Sequence, residues 1–428
     1  MSPSLPMLAA MLAAAASCGP AAGSEEASDS SGPPGESSSS EESSTGDPVC
    51  TPPPAGAALE LELGPGDAGL PAAGEAVHVA GDRDGNAIVV ITDETEDDTD
   101  VVIAQVTPDG APGWSVRYEG MAGLDDTALD IAVGADGDIY VLVSEQLYEL
   151  VSEGFGNRTG QTLVVLALAP DGARRWRYAR ALDDEDIERA RLGAIATTPE
   201  HELVVLDARA DTTVGDGPVL TVLDRWGNLG VQAELSGALE IVMNLDIAIA
   251  SGGDVLATAT VYPALWNARI ARDGSVAWSD VTPPQGQRAT AIAAGREDDA
   301  YVLVTTGDEE AGDAGFELQR FAADGSMSVR YTHAWPGGAG YPAAVVVDCA
   351  GTPIIAGEIQ HGDGSGVTDR EAWLAAIAPD GSALWSETLT GTRPIAPRSL
   401  ALTDAGTFWL GGLTGDPLGP WLAHARAP

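Results

Sequence analysis

From about residue 56 onward the chain alternates short apolar runs with Gly- and Asp-containing breaks. The run "IYVLV" at 139–143 is apolar at every position, as a strand buried on both faces requires. Residues 114–119 read differently: Trp114, Val116 and Tyr118 alternate with Ser115, Arg117 and Glu119. Alternation puts the apolar residues on one face of a strand and the polar ones on the other, so this is an outer, half-solvated strand. The breaks carry Asp-Gly or a similar pair, which suits tight hairpin turns that need positive φ.

These features recur. "VTPDGAPGWSVRY", "LAPDGARRWRY", "LDRWGNLGVQAEL", "IARDGSVAWSDV", "FAADGSMSVRY" and "IAPDGSALWSETL" place their turn glycines at 110, 172, 227, 274, 325 and 381. A second motif alternates with the first: "VHVAGDRDGNAIVVI", "IAVGADGDIYVLV", "AIATTPEHELVVL", "IAIASGGDVLATA", "AIAAGREDDAYVLV", "VVVDCAGTPIIAG" and "LALTDAGTFWLGG". Each repeat therefore reads strand, tight turn, strand, loop, strand, tight turn, strand. Four antiparallel strands in about 50 residues, repeated radially, make a blade of a β-propeller. The expected fold class is all-β, a seven-bladed β-propeller of four-stranded antiparallel blades.

The seventh repeat ends at "PWLAHARAP", one strand short. At the other end "ALELELG", residues 58–64, has Leu59, Leu61 and Leu63 alternating with Glu60 and Glu62, the pattern of an outer strand. It is expected to complete blade seven, which closes the ring and leaves no open sheet edge. The propeller then spans 56–428.

The 428 residues include 52 Gly and 28 Pro and are 44% hydrophobic, enough for a large core with many turns. Sixty-five acids against 21 bases leave a net charge of −44, and every base is Arg because the chain has no Lys. Such a surface repels nucleic acid and anionic membranes. Residues 1–17 have the apolar core of a signal peptide, too short to span a bilayer as a helix. Residues 18–55, "CGPAAGSEEASDSSGPPGESSSSEESSTGDPVCTPPPA", are rich in Ser, Glu, Gly and Pro and poor in large apolar residues. They cannot bury enough surface to fold and read as a disordered tether.

The small residues of "AAAS" directly before Cys18 resemble the lipobox of bacterial lipoproteins. That resemblance implies cleavage before Cys18, lipid on Cys18, and attachment to the membrane of the cell envelope. Gly19 stands where an Asp would signal inner-membrane retention, so the implied location is the outer membrane, on its periplasmic side or at the cell surface. The other two cysteines are Cys50 and Cys349. Cys349 falls in the first turn of blade six, and Cys50 precedes a strand entering blade seven from the same face. A disulfide between them is permitted by chain reach and suits an exported protein; two separate thiols are the alternative.

The repeats resemble the seven-bladed β-propeller repeat family and the quinoprotein-like propellers of exported bacterial proteins, best at 131–143, 166–176 and 377–385. Quinoprotein dehydrogenases would imply eight blades, a pyrroloquinoline quinone and calcium. Here the count is seven. Architecture does not carry function across.

The sequence holds little recognisable chemistry. Histidines 78, 201, 333, 361 and 424 fall in different blades without a metal-binding spacing, and no nucleophile elbow or phosphate loop occurs. His78 lies in an inner strand, as a core or channel residue. "GDRDGN" at 81–86 has acids that suggest calcium, but the blade frame makes it a hairpin turn. No cofactor is expected beyond a Ca2+ ion on the acidic loops, where Asp183, Asp184 and Asp186 are the candidate ligands; a plain solvated acidic surface is the alternative. The insertion at 146–160 carries Tyr148, Leu150 and Phe155, the candidate partner surface for a protein or carbohydrate. Two function classes follow: a lipid-anchored, monomeric binding or scaffolding propeller, or a metal-assisted hydrolase or lyase with its site at the channel mouth.

Overall fold

The computed structural model describes residues 57–426 apart from 95–98, 121–124, 152–154, 183–191, 209–217, 236–241, 262–263, 283–286, 308–314, 335–338, 363–366, 390–394, 404–405 and 416–418. Its first strand, β1 (Ala58–Leu63), stands apart from the regular repeats. Blade one follows with β2 (Glu75–Gly81), β3 (Ala87–Glu94), β4 (Thr99–Val106) and β5 (Pro112–Tyr118). Blade two has β6 (Asp126–Val133), β7 (Ile139–Val151), β8 (Phe155–Leu168) and β9 (Arg174–Leu182). Blade three is built of β10 (Gly193–Thr197), β11 (Leu203–Asp207), β12 (Val219–Leu223) and β13 (Leu229–Glu234). In blade four come β14 (Val242–Ile249), β15 (Val255–Val261), β16 (Ala264–Ile270) and β17 (Val276–Thr282). Blade five contains β18 (Arg288–Ala294), β19 (Ala300–Thr306), β20 (Gly315–Phe321) and β21 (Met327–Ala334). Blade six contributes β22 (Ala339–Val347), β23 (Pro353–Gly362), β24 (Val367–Ile377) and β25 (Ala383–Leu389). The last repeat supplies β26 (Ile395–Leu402), β27 (Thr407–Thr414) and β28 (Gly419–Arg426).

Each of the seven sheets has four antiparallel strands in sequence order, except the last, whose order is β1-β28-β27-β26. The N-terminal strand closes the ring, as its alternating Leu and Glu residues predict. Ala58 pairs with Arg426 and Leu63 with Leu422. Apolar packing completes the circle: seven buried clusters each join two neighbouring blades, the last linking Trp409, Leu413 and Leu422 of blade seven to Val77, Val89 and Ile91 of blade one. The second strand of each blade packs on both sides, and Leu203–Asp207 and Val255–Val261 are buried at every position.

The insertion at 146–160 extends the β7–β8 hairpin, with Gln146 opposite Gln161 and Val151 opposite Phe155. The side chains of Tyr148, Leu150 and Phe155 lie outside the described residues. "GDRDGN" forms the expected turn. Asp82 Oδ1 accepts hydrogen bonds from the Asp84 and Asn86 amides, while Oδ2 accepts from the Asn86 and Gln105 side chains. These four donors satisfy the carboxylate as a turn brace.

A recurring outer-strand Trp locks blade one to two, blade two to three and blade four to five. Trp114 Nε1 donates to the Pro170 carbonyl, Trp176 to Arg225 and Trp278 to Ala323, all in the third turn of the following blade. The turn glycine lies beneath the indole. Gly172 has φ +83°, and a Cβ there would stand 2.6 Å from Trp114. Gly85 has φ +84° but meets nothing nearer than 3.8 Å. Gly85→Ala is therefore expected to cost only the left-handed backbone penalty, about 1–2 kcal/mol. Gly172→Ala should add the overpacking cost, for a total of roughly 2–4 kcal/mol. Urea midpoints of the two variants give the comparison, and equal shifts would show that the Trp lock contributes nothing.

Trp385 is the exception. It is buried to 7% exposure, and its Nε1 has no hydrogen-bond partner among the described residues. Its neighbour, blade seven, has no third turn, because β1 and β28 come from opposite ends of the chain.

Candidate functional site

The seven inner strands are β2, β6, β10, β14, β18, β22 and β26, each running into the first tight turn of its blade. Counting back from the turns beginning at Asp82, Gly134, Thr198, Ala250, Gly295, Asp348 and Thr403, the second residue is Ala in six blades and Val346 in the other. Each of these residues packs into an apolar cluster between two neighbouring blades. The fourth residue back is His78, Asp130, Ala194, Asp246, Ala291, Ala344 and Ser399. Six inner strands carry an irregularity in pairing, at Ala76, Leu129, Met243, Thr290, Ala343 and Arg398. Bulges of this kind re-aim neighbouring side chains.

That ring surrounds a chamber of about 320 Å3, with walls from all seven blades. His78, Asp130, Asp246, Thr290, Arg398 and Ser399 are its polar wall, and Gly193, Ala194, Ala291, Ala343 and Ala344 are its small apolar wall. Toward the tight-turn face a wider vestibule of about 530 Å3 is lined by Gly81–Arg83, Val133–Ala135, Thr197–Pro199, Ile249–Ser251, Leu402 and Thr403.

Three ring members fasten one blade to the next. Asp130 Oδ1 accepts from the Ile131 amide at 2.8 Å and Oδ2 from the Ile195 amide of blade three at 2.9 Å. Asp246 repeats the arrangement with Ile247 and with Ile292 of blade five, both at 2.8 Å. The Ser399 hydroxyl donates to the Val77 carbonyl of blade one at 3.3 Å. His78 fastens nothing comparable. Among the described residues its contact with the ring is the 3.9 Å approach of Nδ1 to Asp130 Oδ1, and His78 and Asp130 keep 28% and 25% of their side-chain surface open.

The surroundings move these groups in opposite directions. Burial lowers the His78 imidazole to about 4. Burial first, and the nearby Asp246 second, push the Asp130 carboxyl up to about 8 against the pull of its two amide donors. Burial raises Asp246 to about 7. Near neutral pH the ring thus presents an unprotonated imidazole beside carboxyls that hold protons. The chamber offers a base, two weak acids and a small apolar wall.

His78 was placed in an inner strand by the sequence, and it faces the channel. Asp130, Asp246 and Ser399 were missed, although aligning the seven first turns and reading four residues back finds them. Asp183, Asp184 and Asp186, together with Cys18 and Cys50, lie outside the described residues. Cys349 occupies the first turn of blade six, exposed, as expected. His201 takes a turn position normally given to Gly, at φ 64°.

Fold and channel together define a seven-bladed β-propeller with a polar ring at its axis. No protein-family model and no curated protein matches the chain. Among solved structures it is similar to a protein of unknown function from Bacteroides caccae, at 15% identity and TM-score 0.42, over 72% of this chain and 92% of that one. It is also similar to the PQQ-bound aldose sugar dehydrogenase of Streptomyces coelicolor, at 12% identity and TM-score 0.38, over 87% and 99% of the two chains. A putative gluconolactonase gives 14% identity and TM-score 0.34, over 71% and 93%. Values this low say nothing of what this chain binds.

Proposed function

We propose that this protein is a binding module of the bacterial cell envelope, held to the outer membrane by lipid on Cys18, with its ligand seat in the central channel. One observation carries the seat: inner strands of four different blades bring His78, Asp130, Asp246 and Ser399 to one level around a chamber of about 320 Å3. A small chamber with a few convergent polar groups and small apolar walls is what a low-molecular-weight ligand requires. His78 is the informative member, because the other three have structural bonds that explain them. Thermal-shift screening of small polar compounds should give hits that raise the melting temperature of the wild type and leave His78→Ala unmoved. Hits that stabilise both proteins equally would place the ligand elsewhere.

The anchor has its own measurement. Intact mass of the mature protein should show a diacylated or triacylated Cys18 at the N-terminus, and without reductant a Cys50–Cys349 bridge, about 2 Da below the dithiol. An unmodified terminus rejects the anchor without touching the seat.

A second reading is favoured by the opposed shifts of His78 and Asp130. A neutral base 3.9 Å from a protonated acid is the pairing that general acid–base catalysis uses near neutral pH. In this hydrolase or lyase reading His78 would take the proton and Asp130 return it. Turnover of a screening hit, lost in His78→Ala, would move the assignment from binding to catalysis.

A further inference from the structure

Granting the channel seat, the chemistry of its wall selects a class of ligand. We propose that the chamber takes a small organic cation, an alkylamine or short diamine, with ammonium groups on Asp130 and Asp246 and carbon chain against Ala291 and Ala344.

Apart from the exposed guanidinium of Arg398, the polar wall offers acceptors rather than donors. Asp130 and Asp246 each spend one contact per oxygen on backbone amides, whereas an ionised carboxylate has about four acceptor sites. Half of that capacity remains for a ligand. The unprotonated His78 adds a further acceptor. The hydroxyls are engaged, Ser399 on the Val77 carbonyl and Thr290 with Thr305 at 3.2 Å. A ligand rich in N–H donors and carrying positive charge meets this wall; an anion or a pure acceptor does not.

Blades five and six answer for the rest of the ligand. Their share of the chamber is Thr290, Ala291, Ile292, Ala343, Ala344 and Val345, a mostly apolar surface that suits methylene groups and offers nothing to a hydrated metal ion. Around Asp130 and Asp246 the charged or titratable wall groups are His78 on β2 and Arg398 on β26, while β10, β18 and β22 contribute none. Arg398 is exposed on its bulge. The chain as a whole, at −44 with no Lys, draws cations toward any cleft that focuses its field.

Without a cation the two carboxyls hold protons in its place. An ammonium entering the chamber releases those protons to solvent, so its affinity rises with pH. Calorimetry on the full mature protein tests this with 1,4-diaminobutane, its neutral isostere 1,4-butanediol and calcium chloride, at about pH 6 and about pH 8.5. Because both carboxyls give up protons, the diamine is expected to bind on the order of several hundredfold tighter at the higher pH, with proton release seen as a heat that depends on the buffer. Asp130→Asn and Asp246→Asn should each weaken it about tenfold or more. Asn keeps an acceptor for the Ile195 and Ile292 amides, and circular dichroism confirms the fold; if either variant misfolds, the pH and isostere comparisons decide alone. Equal binding of the diol, with loss in His78→Ala, overturns the cation and leaves the seat standing. Binding of calcium in preference to the diamine also overturns it. Diamine binding that ignores all three ring variants overturns the cation and the seat together.

Discussion

A chain lacking residues 57–64 is expected to lose the folded ring altogether. Those residues form the outer strand of blade seven, paired to β28 from Ala58 to Leu63. Leu59 packs on the blade six–seven cluster and Leu61 on the blade seven–one cluster, while Leu63 is buried to 9% exposure. Leu61 also takes the role that Trp plays elsewhere: its Cδ atoms lie 3.0 Å from where a Cβ of the blade-one turn residue Gly110 would stand. Removing three largely buried Leu side chains costs roughly 5 kcal/mol, about the whole stability of a modest domain. The deletion also uncovers Trp421 and Leu422 on an open strand edge, a site of aggregation. Size exclusion and circular dichroism should show aggregated or unfolded protein. A circular permutant that joins residue 428 to 57 by a short linker, with new ends between two blades, should fold. A monomeric, native-like deletion would mean that β1 does not close the ring.

Stability is expected to fall as pH rises from about 6 to about 8.5, opposite to the trend of ordinary surface carboxylates. Asp126, Asp130 and Asp246 are raised to about 7, 8 and 7 from a value of 3.8. For each, the folded state binds the proton more tightly than the unfolded chain. The stability they confer is complete below about 4 and is lost as pH climbs through 7 and 8. Asp126 is 1% exposed and is raised first by burial and then by Glu145, Asp100 and Asp125; its Oδ1 has no partner among the described residues. His78 works the other way: lowered to about 4 from 6.5, its contribution is present above 6.5 and is lost as pH falls through 4. Across their shared range, from about pH 4 to about 6.5, the three carboxyls outweigh the one imidazole, so these groups place the optimum near pH 4 and the melting temperature on the order of 5 °C lower at pH 8.5 than at pH 6. Self-repulsion of the −44 chain also changes with pH. The Asp130→Asn, Asp246→Asn double variant separates the two effects, since it should flatten most of the slope. A melting temperature that rises across this range in the wild type would contradict the buried, protonated ring.

Much of this architecture is legible in the chain because its signals are local and repeated. Asp-Gly turns mark hairpins, "IYVLV" marks a strand covered on both faces, and the shortfall at Pro428 points to Leu59, Leu61 and Leu63. Trp385 reads correctly as a packing residue of the outer strand. Its unpartnered nitrogen is not readable, since that depends on the junction of the two chain ends replacing a turn. The site is less legible for the same reason. His78, Asp130, Asp246 and Ser399 are far apart in sequence and meet only because the same register recurs in each blade at the axis. No spacing motif joins them, and three of the seven blades place Ala there. The register irregularities beside the ring leave no pattern in the sequence, and neither does the extension of β7 and β8 through 146–160.

The most direct measurement is a crystal structure of the mature protein soaked with the strongest stabilising compound from the thermal-shift screen. Ligand density between His78, Asp130, Asp246 and Ser399, inside the chamber of about 320 Å3, is the expected result. A ligand seated on the outer loops or the rim, with the chamber holding only water, would contradict the central channel as the binding seat.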